Sequence, residues 1–212
     1  MMSDPHGEQP VRHYGVPLKD ANAAMILLHG RGASAADILG LAGELYLPEV
    51  AYLAPEAANH TWYPNSFMAP IEENEPWLSS ALKKVGSVVN EVLSTGLLRE
   101  KIVIAGFSQG ACLTTEFVAR HPARYGAVIA LTGGLIGPPG HRFEYKGSLD
   151  GTPAFFGSGD PDPHVPWERV KLSAEIYTKM DAVVMLERYP GMLHTISHAE
   201  LLHVRAMIKK LA

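Results

Sequence analysis

The hydrophobic residues of this chain gather in short apolar runs that alternate with stretches of helical periodicity. Short runs rich in Val, Ile and Leu, bounded by turn residues, are typical of strands that are buried on both faces. Strands are predicted at 24–28, 50–53, 102–105, 127–131 and 153–156, with a further strand at 182–189. Because these strands alternate with helices, the pattern predicts a mostly parallel sheet with helices on both faces.

The helices between these strands are predicted from apolar spacing and from capping signals. After Pro76 the apolar residues recur at helical spacing; they are Leu78, Leu82, Val85, Val89 and Val92. A serine three residues before an acidic residue has the spacing of a capping box, and it occurs at Ser34 with Asp37 and at Ser197 with Glu200. Two more helices are predicted at 111–120 and 166–180.

Two long connections between the predicted elements are expected to border a functional site. Loops of this length in compact domains are usually functional or disordered, and large apolar side chains are rare in disordered linkers. The connection at 55–76 carries Trp62, Tyr63, Phe67 and Met68, and the one at 134–151 contributes Leu135 and Ile136. Neither connection is large enough for a separate cap domain, so these side chains are predicted to form a short apolar trough that lines the substrate pocket.

Length and charge narrow the class of protein. The 212 residues are enough for one sizeable core, which predicts a single domain over 1–212. Residues 1–12 are polar and contain Pro and Gly, and we expect them to form a loose leader. A net charge of −4 without any Lys/Arg run argues against nucleic-acid binding. No apolar run approaches the length of a membrane span, so no membrane insertion is expected.

The cysteine content indicates the cellular compartment in which the protein is expected. The chain has one cysteine, Cys112, which leaves no intramolecular disulfide and is expected to be a small core residue. The first residues lack the apolar segment of a signal peptide. A reducing compartment, the cytoplasm, is therefore the expected location.

The strand predicted at 102–105 leads directly into Gly106-Phe-Ser-Gln-Gly110 and then into a helix. A G-x-S-x-G sequence between a strand and a helix is the signature of a nucleophile elbow. The serine must adopt a strained backbone conformation so that its hydroxyl stands clear of the sheet, and the flanking glycines leave room for the turn. Ser108 is therefore the candidate nucleophile.

Other chemically active residues follow the ends of the predicted strands, where functional groups of open α/β sheets gather. A serine nucleophile needs an imidazole to accept its proton and a carboxylate to orient that imidazole. His194 is the candidate imidazole, and Asp160 and Asp162, on the loop after one strand, both remain candidates for the carboxylate. The order Ser, Asp, His is that of the α/β-hydrolase fold. His29 is interpreted as a support of its own turn and His164 as a residue of the rim.

Four segments together resemble the phospholipase/carboxylesterase family, which includes the acyl-protein thioesterases. They are His29-Gly-x-Gly32, Gly106-Phe-Ser-Gln-Gly110, Gly159-Asp-x-Asp-Pro-x-Val-Pro166 and Gly191-Met-x-His194, and they extend from the first predicted strand to the last helix. The resemblance implies a small α/β-hydrolase domain without a lid and without a cofactor.

The same resemblance implies a catalytic triad of Ser108, Asp162 and His194. It also implies an oxyanion hole formed by the backbone N–H groups of Gln109 and Arg31. In the eukaryotic thioesterases, the corresponding turn resembles His-Gly-Leu-Gly-Asp, whereas this chain has His29-Gly-Arg-Gly-Ala33. This difference places the chain nearer to bacterial-type small-ester hydrolases. The expected activity is hydrolysis of small or short-acyl carboxylic esters, with thioesters and lysophospholipids as alternatives.

The sequence also permits other interpretations. Gly30-Arg-Gly-Ala-Ser-Ala35, with Glu56 after the next strand, fits a dinucleotide fingerprint. His194 and His198 have the i, i+4 spacing of metal ligands, but the H-E-x-x-H pattern is absent, so no metal is expected. A receptor that retains the triad on the same fold is a further alternative. The expected partner is a small-molecule ester. The sequence does not distinguish a monomer from a homodimer.

Overall fold

The computed structural model describes residues 4–211, in which seven strands form one sheet. The strands are β1 (Val11–Gly15), β2 (Ala23–Leu28), β3 (Val50–Pro55), β4 (Ile102–Phe107), β5 (Ala127–Leu131), β6 (Pro153–Asp160) and β7 (Val183–Pro190). Their order across the sheet is β1-β3-β2-β4-β5-β6-β7. Strand β1 is antiparallel to β3, and all other neighbours are parallel.

Within residues 4–211, five α-helices cover the two faces of this sheet. They are α1 (Ala35–Glu44), α2 (Trp77–Ser94), α3 (Gln109–Arg120), α4 (Trp167–Lys179) and α5 (His198–Ile208). The apolar residues of α1 and α5 pack with one face of the strands, and those of α2, α3 and α4 pack with the other. The central strands are therefore buried on both sides, which explains why β2 and β3 are apolar throughout.

The strands and helices predicted from periodicity all occur, with ends that differ by a few residues. Both capping boxes form: the side chain of Ser34 accepts a hydrogen bond from the backbone N–H of Asp37, and that of Ser197 accepts one from Glu200. Strand β6 extends four residues beyond the predicted end at 156, to Asp160. This extension carries the sheet up to the loop that holds Asp162.

The prediction of a loose leader over 1–12 was wrong for residues 4–12, and residues 1–3 lie outside the described part of the chain. Strand β1 pairs with β3 along its whole length. His6 is fully buried; its Nε2 donates to the carbonyl oxygen of Trp62 (3.0 Å), and its Nδ1 accepts from the N–H of Ala58 (3.1 Å). Periodicity missed β1 because most of its residues are exposed at the sheet edge.

The parallel strands bring the loops that follow them to one edge of the sheet. The turn after β2, the long connection after β3 and the elbow after β4 meet there with the loops that follow β5, β6 and β7. None of the helices within residues 4–211 combines the length and the apolarity needed to cross a membrane.

Candidate active site

Ser108 lies at the junction between β4 and α3, with a backbone φ of 54° and ψ of −117°. A non-glycine residue in such a region costs on the order of 1–3 kcal/mol. Two backbone hydrogen bonds hold it there: the N–H of Ser108 donates to the carbonyl oxygen of Leu131, and its own carbonyl accepts from Cys112, both at 3.0 Å. The strained turn predicted for the elbow is therefore present.

The two glycines of the elbow are needed because other backbone segments approach them closely. A Cβ atom on Gly106 would lie 2.3 Å from the carbonyl carbon of Gly110, and one on Gly110 would lie 2.1 Å from the carbonyl oxygen of Leu28. Both distances are far below van der Waals contact, and in both cases the obstacle is backbone. Any larger residue would push α3 away from the sheet and displace Ser108.

A continuous chain of hydrogen bonds connects Ser108, His194 and Asp162. The Oγ of Ser108 lies 2.9 Å from Nε2 of His194, and Nδ1 of His194 lies 2.8 Å from Oδ2 of Asp162. Because the carboxylate can only accept, Nδ1 carries the proton and Nε2 is free to accept one from the serine hydroxyl. The structure thus brings together the three side chains that the sequence proposed.

The choice between the two aspartates is decided by the path of the loop after β6. Asp160 forms an ion pair with Arg188 on the neighbouring strand, whereas the buried side chain of Asp162 faces His194. Burial alone raises the pKa of Asp162, but the N–H groups of His164 (2.9 Å) and Val165 (2.8 Å), together with His194, outweigh it and lower the pKa. The Asp162 carboxylate is therefore held in its charged form.

His29 supports the turn that carries Arg31, as its position after a strand suggested. It is fully buried, and burial lowers its pKa in spite of the hydrogen bond to Gly30 and the charge of Glu56. Its Nδ1 donates to the carbonyl oxygen of Gly30 (2.8 Å), and its Nε2 accepts from the N–H of Ala57 (3.1 Å). The neutral ring therefore ties this turn to the loop after β3.

Gln109 joins the elbow to the same loop through its side chain. Its Oε1 accepts from the N–H of Trp62 (2.9 Å), and its Nε2 donates to the carbonyl oxygen of Tyr63 (2.8 Å). The backbone N–H groups of Gln109 and Arg31 have no acceptor among residues 4–211. Both residues line the cavity in front of Ser108, so these donors are available where a substrate would bind.

This cavity has a volume of about 440 Å³ and opens beside Ser108 and His194. It is lined by Arg31, Tyr63, Pro64, Asn65, Ser66, Phe67, Ser108, Gln109, Cys112, His164, Val165 and His194. Of the apolar residues predicted for the pocket, only Tyr63 and Phe67 line it. Cys112, expected in the core, is a buried free thiol that also borders this cavity, and burial raises its pKa to about 12.

The other predicted pocket residues lie elsewhere. Trp62, Leu135 and Ile136 are fully buried, and Met68 packs against the core outside the cavity lining. The N–H groups of Leu135 and Ile136 are held by Ser173 Oγ (2.9 Å) and by the carboxylate of Glu116 (3.0 Å). These bonds draw the start of the second connection into the core, so it forms no wall of the cavity.

Sequence reasoning missed two residues that shape the site and placed a third only at its rim. Asn65 and Ser66 give no pattern signal. The buried Asn74 holds their loop beside the cavity by hydrogen bonds of 2.8 and 3.0 Å. His164, predicted at the rim, packs edge-on against His194 with ring centroids 4.8 Å apart. Its only signal was its position two residues after Asp162.

The alternative sites suggested by the sequence are occupied by other interactions. In the turn that fits the dinucleotide fingerprint, the carboxylate of Glu56 accepts from the N–H of Ala35 at 3.2 Å. Together with the Ser34 cap, this uses the N–H groups that would bind a pyrophosphate. Both ring nitrogens of His194 are engaged by Ser108 and Asp162, so the i, i+4 spacing with His198 does not provide a pair of free metal ligands.

Comparison with known proteins identifies the family. Residues 16–212 match the model of the family described as Phospholipase/Carboxylesterase. The chain is similar to the crystal structure of a phospholipase/carboxylesterase from Dyadobacter fermentans DSM 18053, with 48% identity and a TM-score of 0.91. That match covers 95% of this chain and 97% of the other. The α/β-hydrolase fold predicted from the sequence is confirmed.

The chain is also similar to curated acyl-protein thioesterases. Acyl-protein thioesterase 1 of Debaryomyces hansenii is 27% identical, over 91% of this chain and 92% of the relative. Acyl-protein thioesterase 1 of Gibberella zeae is 29% identical over 65% of this chain, and the match spans only 60% of that relative. The chain belongs to the phospholipase/carboxylesterase family, whose members are serine hydrolases of the α/β-hydrolase fold.

Proposed function

We propose that this protein is a serine carboxylesterase that hydrolyses small or short-acyl carboxylic esters through an acyl-enzyme. The observation that carries the proposal is the hydrogen-bonded chain Ser108–His194–Asp162, at 2.9 and 2.8 Å, which opens onto a cavity. A nucleophile, a base and an orienting carboxylate in this arrangement are the requirements for acyl transfer to serine.

The reaction proceeds in two halves. Nε2 of His194 accepts the hydroxyl proton as Oγ of Ser108 attacks the carbonyl carbon of the ester. The tetrahedral intermediate then collapses, the bond to the alcohol oxygen breaks, and the alcohol leaves with the proton from His194. Water, deprotonated by His194, attacks the acyl-enzyme, and collapse releases the acid while Ser108 regains its proton. Asp162 stabilises the imidazolium that forms in each half and remains ionised.

The negative charge on the carbonyl oxygen is stabilised by the backbone N–H groups of Gln109 and Arg31. Support for this assignment is that both donors lack another acceptor within residues 4–211 and that both residues border the cavity. The N–H of Gln109 is the first of α3, where the partial positive charge of a helix N-terminus favours an anion. Fixed donors of this kind typically contribute about a hundred- to a thousand-fold in rate each.

The walls of the cavity favour a short acyl group. Tyr63, Phe67 and Val165 are its large apolar contacts, and Asn65, Ser66 and Arg31 make the rest of its rim polar. Each buried methylene contributes about 0.8 kcal/mol, so affinity should rise over a few carbons and then level off at this rim. Thioesters pass through the same steps and are the second candidate substrates, since the relatives in Debaryomyces hansenii and Gibberella zeae are named acyl-protein thioesterases.

We also propose a cytoplasmic location and small-molecule partners. The single cysteine, Cys112, is buried and free, which suits a reducing compartment. The net charge of −4 does not favour nucleic acid as a partner. A homodimer is the alternative to a monomer, and sedimentation equilibrium distinguishes the two.

A screen of p-nitrophenyl esters of graded acyl length tests the proposed activity. Wild type should turn over the short-chain esters best, and Ser108→Ala should lower kcat by on the order of a thousand-fold or more. A fluorophosphonate probe should label wild type at one site and leave Ser108→Ala unlabelled. Persistent labelling of the variant, or turnover that survives the substitution, would contradict Ser108 as the nucleophile.

A further inference from the structure

The guanidinium of Arg31 is an uncompensated positive charge in the cavity wall. Its neighbours in the lining are polar, apolar or histidine side chains, and no aspartate or glutamate is among them. Among residues 4–211, the arginines that pair with a carboxylate within 4.0 Å are Arg120 and Arg188, and Arg31 has no such partner. The lining of the cavity therefore contains an arginine side chain and no acidic side chain.

Two hydrogen bonds fix the orientation of this guanidinium. Nη1 donates to the carbonyl oxygen of Pro64 (2.7 Å), and Nη2 donates to that of Asn65 (2.6 Å). The guanidinium carbon also lies 5.9 Å from the centre of the Tyr63 ring. These contacts hold the charge at one place in the cavity wall, so little side-chain freedom remains to be lost on binding a ligand.

The two acceptors are themselves held in place. The N–H of Asn65 donates to Oδ1 of the buried Asn74 (2.8 Å), and Nδ2 of Asn74 donates to the carbonyl oxygen of Ser66 (3.0 Å). The side chain of Asn65 donates to the carbonyl oxygen of Glu73 (2.7 Å). The loop segment 64–66 is thus a rigid support for Arg31.

The guanidinium retains donors for a ligand. It carries five N–H groups, and the bonds to Pro64 and Asn65 account for one on each terminal nitrogen. The remaining N–H groups form a planar donor set that matches the two oxygens of a carboxylate. Because the backbone N–H of the same residue is the proposed oxyanion donor, this donor set lies one side chain away from the reacting carbonyl.

We propose that the Arg31 side chain is an anion subsite and that the substrates of this enzyme are small esters that carry a carboxylate a few bonds from the scissile ester. The proposal rests on the esterase function proposed above. It explains why a charged residue occupies a turn whose backbone has a separate role, and why acidic side chains are absent from the cavity lining.

Matched pairs of charged and neutral esters test the subsite. Monomethyl succinate carries a carboxylate on its acyl side, and methyl succinamate carries an amide at the same position. Acetoxyacetate and acetoxyacetamide form the corresponding pair, with the carboxylate or the amide on the alcohol side. The measured quantity is the ratio of kcat/KM for the charged to the neutral ester within one protein. Because it is a ratio, any general effect of a substitution on the elbow or on the oxyanion turn cancels.

In wild type the ratio should reach on the order of ten- to a hundred-fold for at least one pair, as expected for a charge-assisted hydrogen bond. It should fall as salt is added, because the charge is partly exposed. Arg31→Gln should bring it near unity, and Arg31→Lys should retain part of it. Arg188→Gln, which removes a rim arginine paired with Asp160, is the matched control and should leave the ratio unchanged.

Ratios near unity for both pairs in wild type would overturn the subsite, as would a preference that survives Arg31→Gln. Neither result would affect the esterase function, which depends on turnover of the neutral esters and on the labelling of Ser108. Absence of turnover for every ester, with Ser108 unlabelled by a fluorophosphonate, would remove both proposals together.

Discussion

The indole Nε1 of Trp62 donates a hydrogen bond of 2.9 Å to the backbone carbonyl oxygen of His29. Its ring also packs against the rings of His29 and His6, with centroids 5.0 and 5.5 Å apart. The side chain predicted to cover the acyl group therefore braces the turn behind the proposed oxyanion donor. The residue contributes to the site through the position of that turn and does not contact the cavity.

This relationship predicts different effects for two aromatic residues of one loop. Trp62→Phe should lower kcat by a similar factor for every acyl length, because it loosens the turn and leaves the cavity walls in place. Phe67→Leu should shift the preferred acyl length upward, since Phe67 lines the cavity. A panel of p-nitrophenyl esters measures both, with thermal unfolding to show that the variants fold. A shifted acyl optimum in Trp62→Phe would mean that its ring does form the wall.

The surroundings of Asp162 predict that Asp162→Asn is far more damaging than Asp160→Asn. An amide can keep the bonds from His164 and Val165 through its oxygen, but its NH2 then faces Nδ1 of His194 and favours the wrong tautomer. We expect kcat to fall by on the order of a thousand-fold or more, with little change in KM. Asp160→Asn is the matched control, because Asp160 pairs with Arg188. Equal losses in both variants would contradict this assignment.

The strained backbone of Ser108 predicts a stability difference between two inactive variants. Ser108→Ala and Ser108→Gly both remove the bond from Oγ to His194, but only glycine adopts a φ of 54° with a ψ of −117° without strain. The Gly variant should therefore be the more stable by about 1 kcal/mol, after the greater freedom of glycine in the unfolded chain is subtracted. Urea unfolding measures the difference. A more stable Ala variant would show that the turn is not strained.

Two buried histidines predict a loss of stability in mild acid. Burial lowers the pKa of His6 and of His29, and the partly opposing effects of Trp62, Gly30 and nearby carboxylates do not reverse it. In the unfolded chain both titrate near 6.5. At pH values between about 6.5 and the lower pKa values of the folded state, the unfolded state binds more protons than the folded state. The free energy of unfolding therefore falls as the pH falls from about 6.5.

The contribution of His6 can be isolated by substitution. His6→Gln should be less stable than wild type at pH 7.5, and the difference between the two proteins should shrink as the pH falls to 5.5. His141→Gln, at an exposed position with no carboxylate within 4.0 Å among residues 4–211, is the control and should keep a constant difference from wild type. Urea unfolding at several pH values gives these differences. A constant difference for His6→Gln as well would contradict the assignment of a neutral, buried His6.

The features that depend on local spacing could be predicted from the amino-acid sequence. Apolar runs predicted six of the seven strands because central strands of a parallel sheet are buried on both faces, and the capping boxes marked the starts of α1 and α5. The elbow around Ser108 and the chain order of serine, aspartate and histidine were also evident. These features depend on contacts between residues a few positions apart or on the overall burial of a strand. Both are evident from the residue types within a short segment.

Which side chains meet could be seen only in the folded chain. The sequence left Asp160 and Asp162 as alternatives, because two residues on one loop differ in role only through the neighbours they face, Arg188 in one case and His194 in the other. Trp62 and Phe67 are likewise five residues apart in one apolar loop, yet one lies in the core and the other in the cavity wall. Strand β1 forms because a pairing edge of β3 is available to it, and its own half-exposed sequence carries little periodicity. In each case the deciding contact joins residues far apart in the chain, so its free energy depends on the assembled sheet and leaves no local pattern in the sequence.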